Sequence, residues 1–279
     1  MKIWEAILYA IFGGISELLP ISFPGHAAIL GNAFALQPLN EGGGYYIHAA
    51  VCLGVMLAIR LAFSAELRTL KNELAVMGGF RRLRRGERSD PYLRRSISLG
   101  LFALVPMLLS LIFTARAERV SGLLSVALLF ALNGLLLFFC CRGKPGEKTE
   151  KNALLGDVFL IGLVRACSIF PGLSSLGSSM CIGRVRGFSL NYNLRVAYLL
   201  TFVYQAALFL YRLVRAFAFG SFTFGLILPI VFTVLFSAVA GYLAVQYFRY
   251  LLQRRKLGVF AYYCWGAAVL SLILLLINA

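Results

Sequence analysis

Apolar residues run through this chain in long unbroken blocks, not in the alternating or striped patterns of a water-soluble fold. Blocks over 45–63, 96–115, 120–141, 194–218, 223–248 and 257–277 reach the length a helix needs to cross a bilayer, roughly 20 residues. They predict six spanning helices. Two other apolar regions are broken in the middle, one by Pro20, Pro24 and Gly25, the other by Pro171 and Gly172. A straight spanning helix would not carry such breaks. Interrupted backbone is tolerated at membrane depth only where protein or cavity water satisfies it. These regions therefore predict two re-entrant helical hairpins, from half-helices 3–19 and 25–36 and from half-helices 154–170 and 173–188.

Charge orders these elements. The segment 64–95, read as a basic loop, holds nine Lys and Arg, among them Arg81, Arg82, Arg84, Arg85 and Arg88. A second basic connection carries Arg142, Lys144, Lys148 and Lys151, and a third carries Arg249, Arg254, Arg255 and Lys256. Positive loops face the cytoplasm. The connections near 116–119 and 219–222 then lie outside, although Arg116, Arg119, Arg212 and Arg215 run against the rule. Under that orientation the first hairpin enters from outside and the second from inside. Broken segments in corresponding, oppositely facing positions mark an inverted repeat with its site where the tips meet. The expectation is an all-α polytopic membrane protein of one domain, 1–279, with a first repeat at 1–141 and a second at 154–279.

Composition agrees: 60% of residues are apolar and the mean hydropathy is +0.83. No soluble domain fits in the loops. The formal charge of +16 would suit nucleic acid in a soluble protein. In a polytopic one it reads as cytoplasmic loops facing anionic lipid headgroups, so no nucleic-acid partner is expected. The start, Met1-Lys2-Ile3-Trp4-Glu5, lacks a basic leader and a cleavage site, and the first apolar run reads as retained. All six cysteines lie in apolar runs without metal-type spacing.

Candidate chemistry gathers at the two breaks. Ionisable groups at membrane depth are costly and usually functional. At the first break, Glu17 suits a divalent cation or acid–base work. His26 suits proton transfer or attack on phosphorus, with a structural histidine as the alternative. Ser22 and Gly25 lie between them. At the second break, Ser174, Ser175, Ser178 and Ser179 surround Gly172 and Gly177. Backbone N–H groups and hydroxyls at a helix start make an anion cradle. Small serines also simply pack helices in lipid. Arg165 sits inside an apolar half-helix and needs an anionic or carbonyl partner. It reads as a phosphate clamp or as the counter-ion of Glu17. An anion site with hydrophobic walls fits a phosphorylated lipid.

These residues resemble the integral-membrane undecaprenyl-diphosphate phosphatase family, which recycles the polyprenyl lipid carrier of bacterial cell-wall synthesis. The likeness runs nearly end to end. It rests on Ser16-Glu17-Leu18-Leu19-Pro20-Ile21-Ser22 with Gly25-His26, on Ile47 to Leu57 with Leu53-Gly54, and on Leu160-Ile161-Gly162. Phe170-Pro171-Gly172-Leu173-Ser174 with Gly177 and the C-terminal hairpin complete it. The resemblance implies an inverted repeat with two re-entrant hairpins in a bacterial plasma membrane. It also implies a polyprenyl diphosphate or phosphate ligand among membrane lipids.

The departures fall on the chemistry. The family carries a second glutamate where this chain has Gly13, a catalytic serine at Phe23 and an arginine at Ser175. A family threonine is Ser179, and a family glutamine is Arg165. The residues expected to matter are Glu17 and His26 for catalysis, with Glu17 also the metal ligand. Ser22, Gly25, Arg165, Gly172, Ser174, Ser175 and Ser178 are expected to bind substrate. Mg or Ca would be needed only if catalysis is retained. The departures weaken hydrolysis more than binding. A non-hydrolytic lipid-phosphate binder or flippase and a small-solute transporter stand as alternatives, and a homo-oligomer is compatible with all of them.

Overall fold

The computed structural model describes residues 1–82, 90–143 and 146–278. Arg84, Arg85, Arg88 and Lys144, used above to orient the chain, lie outside the described residues. The described residues are almost wholly helical. In chain order they form α1 (Ile3–Leu18), α2 (Phe23–Phe34), α3 (Gly44–Ala62), α4 (Ser64–Met77), α5 (Pro91–Ala117) and α6 (Leu123–Arg142). Then come α7 (Leu155–Cys167), α8 (Ser175–Val185), α9 (Leu190–Phe219), α10 (Ile227–Gln253) and α11 (Val259–Ile277). Six of these, α3, α5, α6, α9, α10 and α11, are long and apolar enough to cross a membrane. They stand where the six longest apolar blocks predicted them. The protein is a multi-pass plasma-membrane protein.

The spanning helices turn apolar faces outward and small or polar residues inward. On α5, Leu101, Phe102, Val105, Leu109 and Ile112 are exposed while Ala103, Ser110 and Thr114 are buried. On α10, Leu235, Val239 and Leu243 are exposed while Thr233, Ser237 and Gly241 are buried. Lipid cannot drive helices together hydrophobically, so close contact relies on small residues. The buried hydroxyls satisfy themselves on their own helix: Thr233 donates to the Pro229 carbonyl and Ser237 to the Thr233 carbonyl. Gly14 needs to be glycine for packing alone, because a Cβ there would lie 2.4 Å from the Ser237 carbonyl oxygen.

Helix contacts fall into matched pairs. α1 packs on α10 as α7 packs on α5, α3 on α10 as α9 on α5, and α6 on α8 as α11 on α2. α3 meets α9, and α6 meets α11. These pairs exchange when α1, α2, α3, α5 and α6 are swapped for α7, α8, α9, α10 and α11, whereas the α1–α3, α8–α9 and α2–α6 contacts have no counterpart of similar size. Gly162 of α7 presses on the Ala103 carbonyl of α5 much as Gly14 of α1 presses on α10. Three residues beyond these glycines stand Glu17 and Arg165.

One expectation needs correcting. The segment 64–95 is not all loop, since Ser64–Met77 is the helix α4. Leu67, Leu70 and Leu74 recur at helical spacing among charged residues. A search for uniformly apolar blocks passes over such an amphipathic pattern. Glu73 of α4 accepts from the Arg94 Nε of α5 at 2.6 Å, which ties α4 to the basic end of the bundle.

Candidate headgroup cavity between two helix tips

Two short helix pairs, α1–α2 and α7–α8, bring their connecting tips together inside the bundle. Ser22 caps α2 by accepting from the Gly25 N–H at 3.3 Å, and the same oxygen accepts from the Gly172 N–H of the other tip at 2.9 Å. Ser174 caps α8 by accepting from the Gly177 N–H at 3.0 Å, and its hydroxyl donates across to the Leu19 carbonyl at 3.4 Å. Each cap residue thus also grips the opposite tip. Asn133, at mid-α6 and 1% exposed, completes the joint. Its amide donates to the Pro20 carbonyl at 3.2 Å, and its carbonyl accepts from the Ser174 N–H at 3.1 Å. The backbone approach is close enough that a Cβ on Gly25 would lie 2.9 Å from the Gly172 nitrogen. Gly172 itself has φ +116°, a left-handed conformation that suits glycine.

A cavity of about 350 Å³ opens from this joint. Its floor carries Glu17, Ser22, Phe23, Ser174 and Ser175. Its far end carries Asn40 and Glu118, with Ser121 from the connection after α5. α5 starts at the basic end of the bundle, so the mouth lies at the opposite end.

Glu17 is held in this cavity by the Gln205 amide, which donates to its Oε2 at 2.7 Å. The position four residues earlier, Gly13, has no room for a carboxylate. A Cβ there would lie 2.5 Å from Val51 Cγ1 and 3.3 Å from the Phe23 ring. Phe23 is buried and its ring meets His48 edge-on at 5.6 Å between centroids. The two departures are therefore linked in space: the aromatic ring at 23 covers the hole left by the glycine at 13. A resident Mg or Ca ion does not fit this donor set. Hard cations need several oxygen ligands, and among the described residues no group of three or more His, Cys, Asp or Glu side chains converges. Glu17 has an amide donor and not a second carboxylate beside it.

The remaining expected residues are brought near the joint but not into the cavity wall. His26 is 4% exposed and enclosed by the rings of Phe12, Phe130 and Tyr263. Its Nδ1 lies 2.5 Å from the Ser22 carbonyl, which can only accept, so Nδ1 carries the proton. Its Nε2 then accepts from the Tyr263 hydroxyl at 2.7 Å. Both ring nitrogens are engaged. Arg165 is 2% exposed and forms no ion pair with Glu17. Its Nη1 donates to the Ser175 carbonyl at 3.3 Å and the Ser179 hydroxyl at 3.1 Å, and its Nη2 donates to the Thr201 hydroxyl at 2.9 Å. The arginine thus braces the backbone at Ser175, where the resemblance implied an arginine. Ser178 accepts from the Ser168 hydroxyl at 2.9 Å and also lies behind the wall.

Sequence reading missed the polar groups that do face the cavity above its floor. Arg212 of α9 is 3% exposed and lines it. One Arg212 nitrogen, Nη2, donates to Glu118 Oε1, while Nε and Nη1 have no protein partner. His48 Nδ1 and the Ser16 hydroxyl, in the same wall, also lack partners. The signal existed: Arg212 is one of the few cations on the wrong side for the charge rule.

A helical bundle with an apolar exterior and a cavity lined by apolar, hydroxyl and ionisable side chains defines a class: multi-pass membrane proteins with polar groups at membrane depth. Within that class the chain belongs to the BacA family, described as bacitracin resistance protein BacA, whose pattern matches residues 6–270. It is similar to an undecaprenyl-diphosphatase of Methanobrevibacter smithii, 29% identical over 276 residues that cover 97% of this chain and 96% of the relative. An undecaprenyl-diphosphatase of Halothermothrix orenii is 24% identical, with 98% of each chain covered. Undecaprenyl-diphosphatase 4 of Bacillus cereus is 25% identical over 97% of this chain and 96% of its own.

Proposed function

We propose that this protein binds a polyprenyl diphosphate, with the headgroup in the cavity and the tail along apolar helix faces, and that it hydrolyses this lipid far more slowly than its relatives. The family and its undecaprenyl-diphosphatase members supply the ligand class. The arrangement in the membrane is an inverted repeat, 1–141 and 154–279, whose hairpins α1–α2 and α7–α8 are re-entrant. The paired helix contacts and reciprocal serine caps support it. Bonds running unbroken across the joint favour a lipid headgroup over a small solute in transit.

In this reading Glu17 faces the headgroup as the acid–base residue, and Ser22, Ser174 and Ser175 present oxygens at the floor. His26, Gly25, Gly172, Ser178 and Arg165 hold the tips in place behind them. No step is assigned to a metal.

The observation that carries the slow hydrolysis is the filling of the space over Gly13 by Phe23 and Val51. Phosphate release from undecaprenyl diphosphate in proteoliposomes tests it. The wild type should stay near background. The triple variant Gly13→Glu/Phe23→Ser/Val51→Ala, which clears both neighbours and adds a second carboxylate, should release phosphate at least about tenfold faster, near 1.4 kcal/mol in barrier. Adding Glu17→Gln should abolish that gain. Rapid release by the wild type, lost in Glu17→Gln, would overturn the slow-hydrolysis reading.

A further inference from the structure

Arg212 has the geometry of a ligand-binding arginine that is waiting for its ligand. A guanidinium presents five N–H donors in a flat fork matched to phosphate or carboxylate. Here one arm, Nη2, is bonded to Glu118, and Nε and Nη1 are buried without protein partners. Leaving charged donors unpaired in a protein interior costs free energy. Such a group persists where something else completes it. The fold also fixes the side chain in place. Arg212 sits about two turns before the end of α9, with its guanidinium near the Tyr211 ring, 5.5 Å from the centroid.

Its neighbours complete the description. Glu118 is the residue that closes α5, and its side chain is 18% exposed against 4% for Arg212. The carboxylate is thus the member of the pair nearer the mouth and freer to leave. Ser16 and His48 add an unpartnered hydroxyl and ring nitrogen to the same wall. Glu17 supplies a second negative charge deeper in. With Glu118 in place, the Arg212 guanidinium is already matched by a carboxylate, and a polyanionic headgroup meets no free positive charge there. Once Glu118 swings away, its place on the guanidinium becomes a bidentate phosphate seat.

We propose that Arg212 is the phosphate-binding side chain of this cavity and that Glu118 is an exchangeable stand-in for the phosphate, displaced when a prenyl diphosphate enters from the mouth. This rests on the headgroup reading above and assigns the clamp to α9, where neither tip motif contributes a residue.

Binding to the full chain in lipid nanodiscs tests it, with farnesyl diphosphate and inorganic pyrophosphate as probes. The wild type should bind farnesyl diphosphate. Arg212→Gln should weaken that binding by about tenfold or more, the loss expected for one charge-assisted contact. Glu118→Gln, which removes the competing carboxylate, should tighten it. Arg212→Gln strands Glu118 and can unsettle the fold. The double variant Arg212→Gln/Glu118→Gln is neutral there and should bind as weakly as the single. Wild-type affinity that survives Arg212→Gln in both backgrounds, or a Glu118→Gln variant that binds more weakly, would overturn this proposal and leave the headgroup reading standing. A wild type that binds neither probe would overturn both. Pyrophosphate binding as tight as the prenyl ligand, and equally lost in Arg212→Gln, would keep the Arg212 seat and replace the lipid with a soluble anion.

Discussion

The joint between the tips and the wall of the cavity above it use the same residue types in opposite ways. At the joint, Ser22, Ser174 and Asn133 find partners on both helix pairs. A few residues away, Ser16, His48 and Arg212 keep buried atoms that bond to nothing in the protein. Gln205 leaves its Oε1 unpartnered as well. The first region is finished by folding and the second is not. Serines, glycines and a histidine in a broken motif thus serve here as a fastening for two helix pairs. Of the unpartnered groups, Ser16, His48 and Arg212 line the cavity, and Arg212 sits on a helix that neither tip motif marks; the free Nε of Arg165 lies behind the joint.

The sharpest way to break this comparison is to unfasten the joint. Asn133→Leu keeps the volume but leaves the Ser174 N–H and the Pro20 carbonyl buried without partners. Two stranded backbone groups cost about 4 kcal/mol, so the thermal midpoint in detergent should drop steeply, the largest effect expected here. A melting curve like that of the wild type would mean that the joint does not hold the tips together.

The fold was legible in the sequence because membranes reduce the question to length, hydropathy and breaks. Pro20 and Pro171 marked both tips, and the apolar blocks marked all six long helices to within a few residues. α4 escaped because its pattern is amphipathic and short. The site was legible only in outline. The breaks pointed to Glu17, Ser22, Ser174 and Ser175, all of which line the cavity. They did not point to Arg212, Glu118 or His48, because helices distant in sequence bring those residues in and no spacing rule joins them to the tips. Asn133 and Gln205 were visible as lone amides in apolar runs, a membrane-depth signal as strong as the one that drew attention to Arg165.

Arg165 and Arg212 sharpen the comparison because both are buried cations that differ in what they touch. Arg165→Leu removes three hydrogen bonds, yet the hydroxyls it leaves keep others: Ser179 still donates to the Ser175 carbonyl, and Thr201 to the Ala197 carbonyl, each at 2.7 Å. The loss should be about 2 kcal/mol of stability, read as a modest fall in melting temperature. Farnesyl diphosphate affinity of the folded protein should change less than twofold, in contrast to Arg212→Gln. Affinity lost with melting unchanged would return the clamp to Arg165 and collapse the distinction between the two regions.

The smallest expected effect bears on His26, the residue a motif reader would trust most. Its Nε2 is capped by the Tyr263 hydroxyl, and the two rings stack with 22° between planes. Tyr263→Phe deletes the cap and keeps the stacking. If His26 belongs to the joint, the change removes one hydrogen bond and lowers stability by about 1 kcal/mol. If His26 were instead a nucleophile or proton carrier held in reserve, freeing Nε2 would expose its lone pair. Phosphate release would then rise and acquire the pH dependence of an imidazole near neutrality. The two outcomes separate best in the Gly13→Glu/Phe23→Ser/Val51→Ala background, where release is fast enough to follow. A slightly lower melting temperature with an unchanged pH profile places His26 with the fastening. A faster, newly pH-dependent release would move it to the chemistry, and the reactive wall would then reach down to the tips.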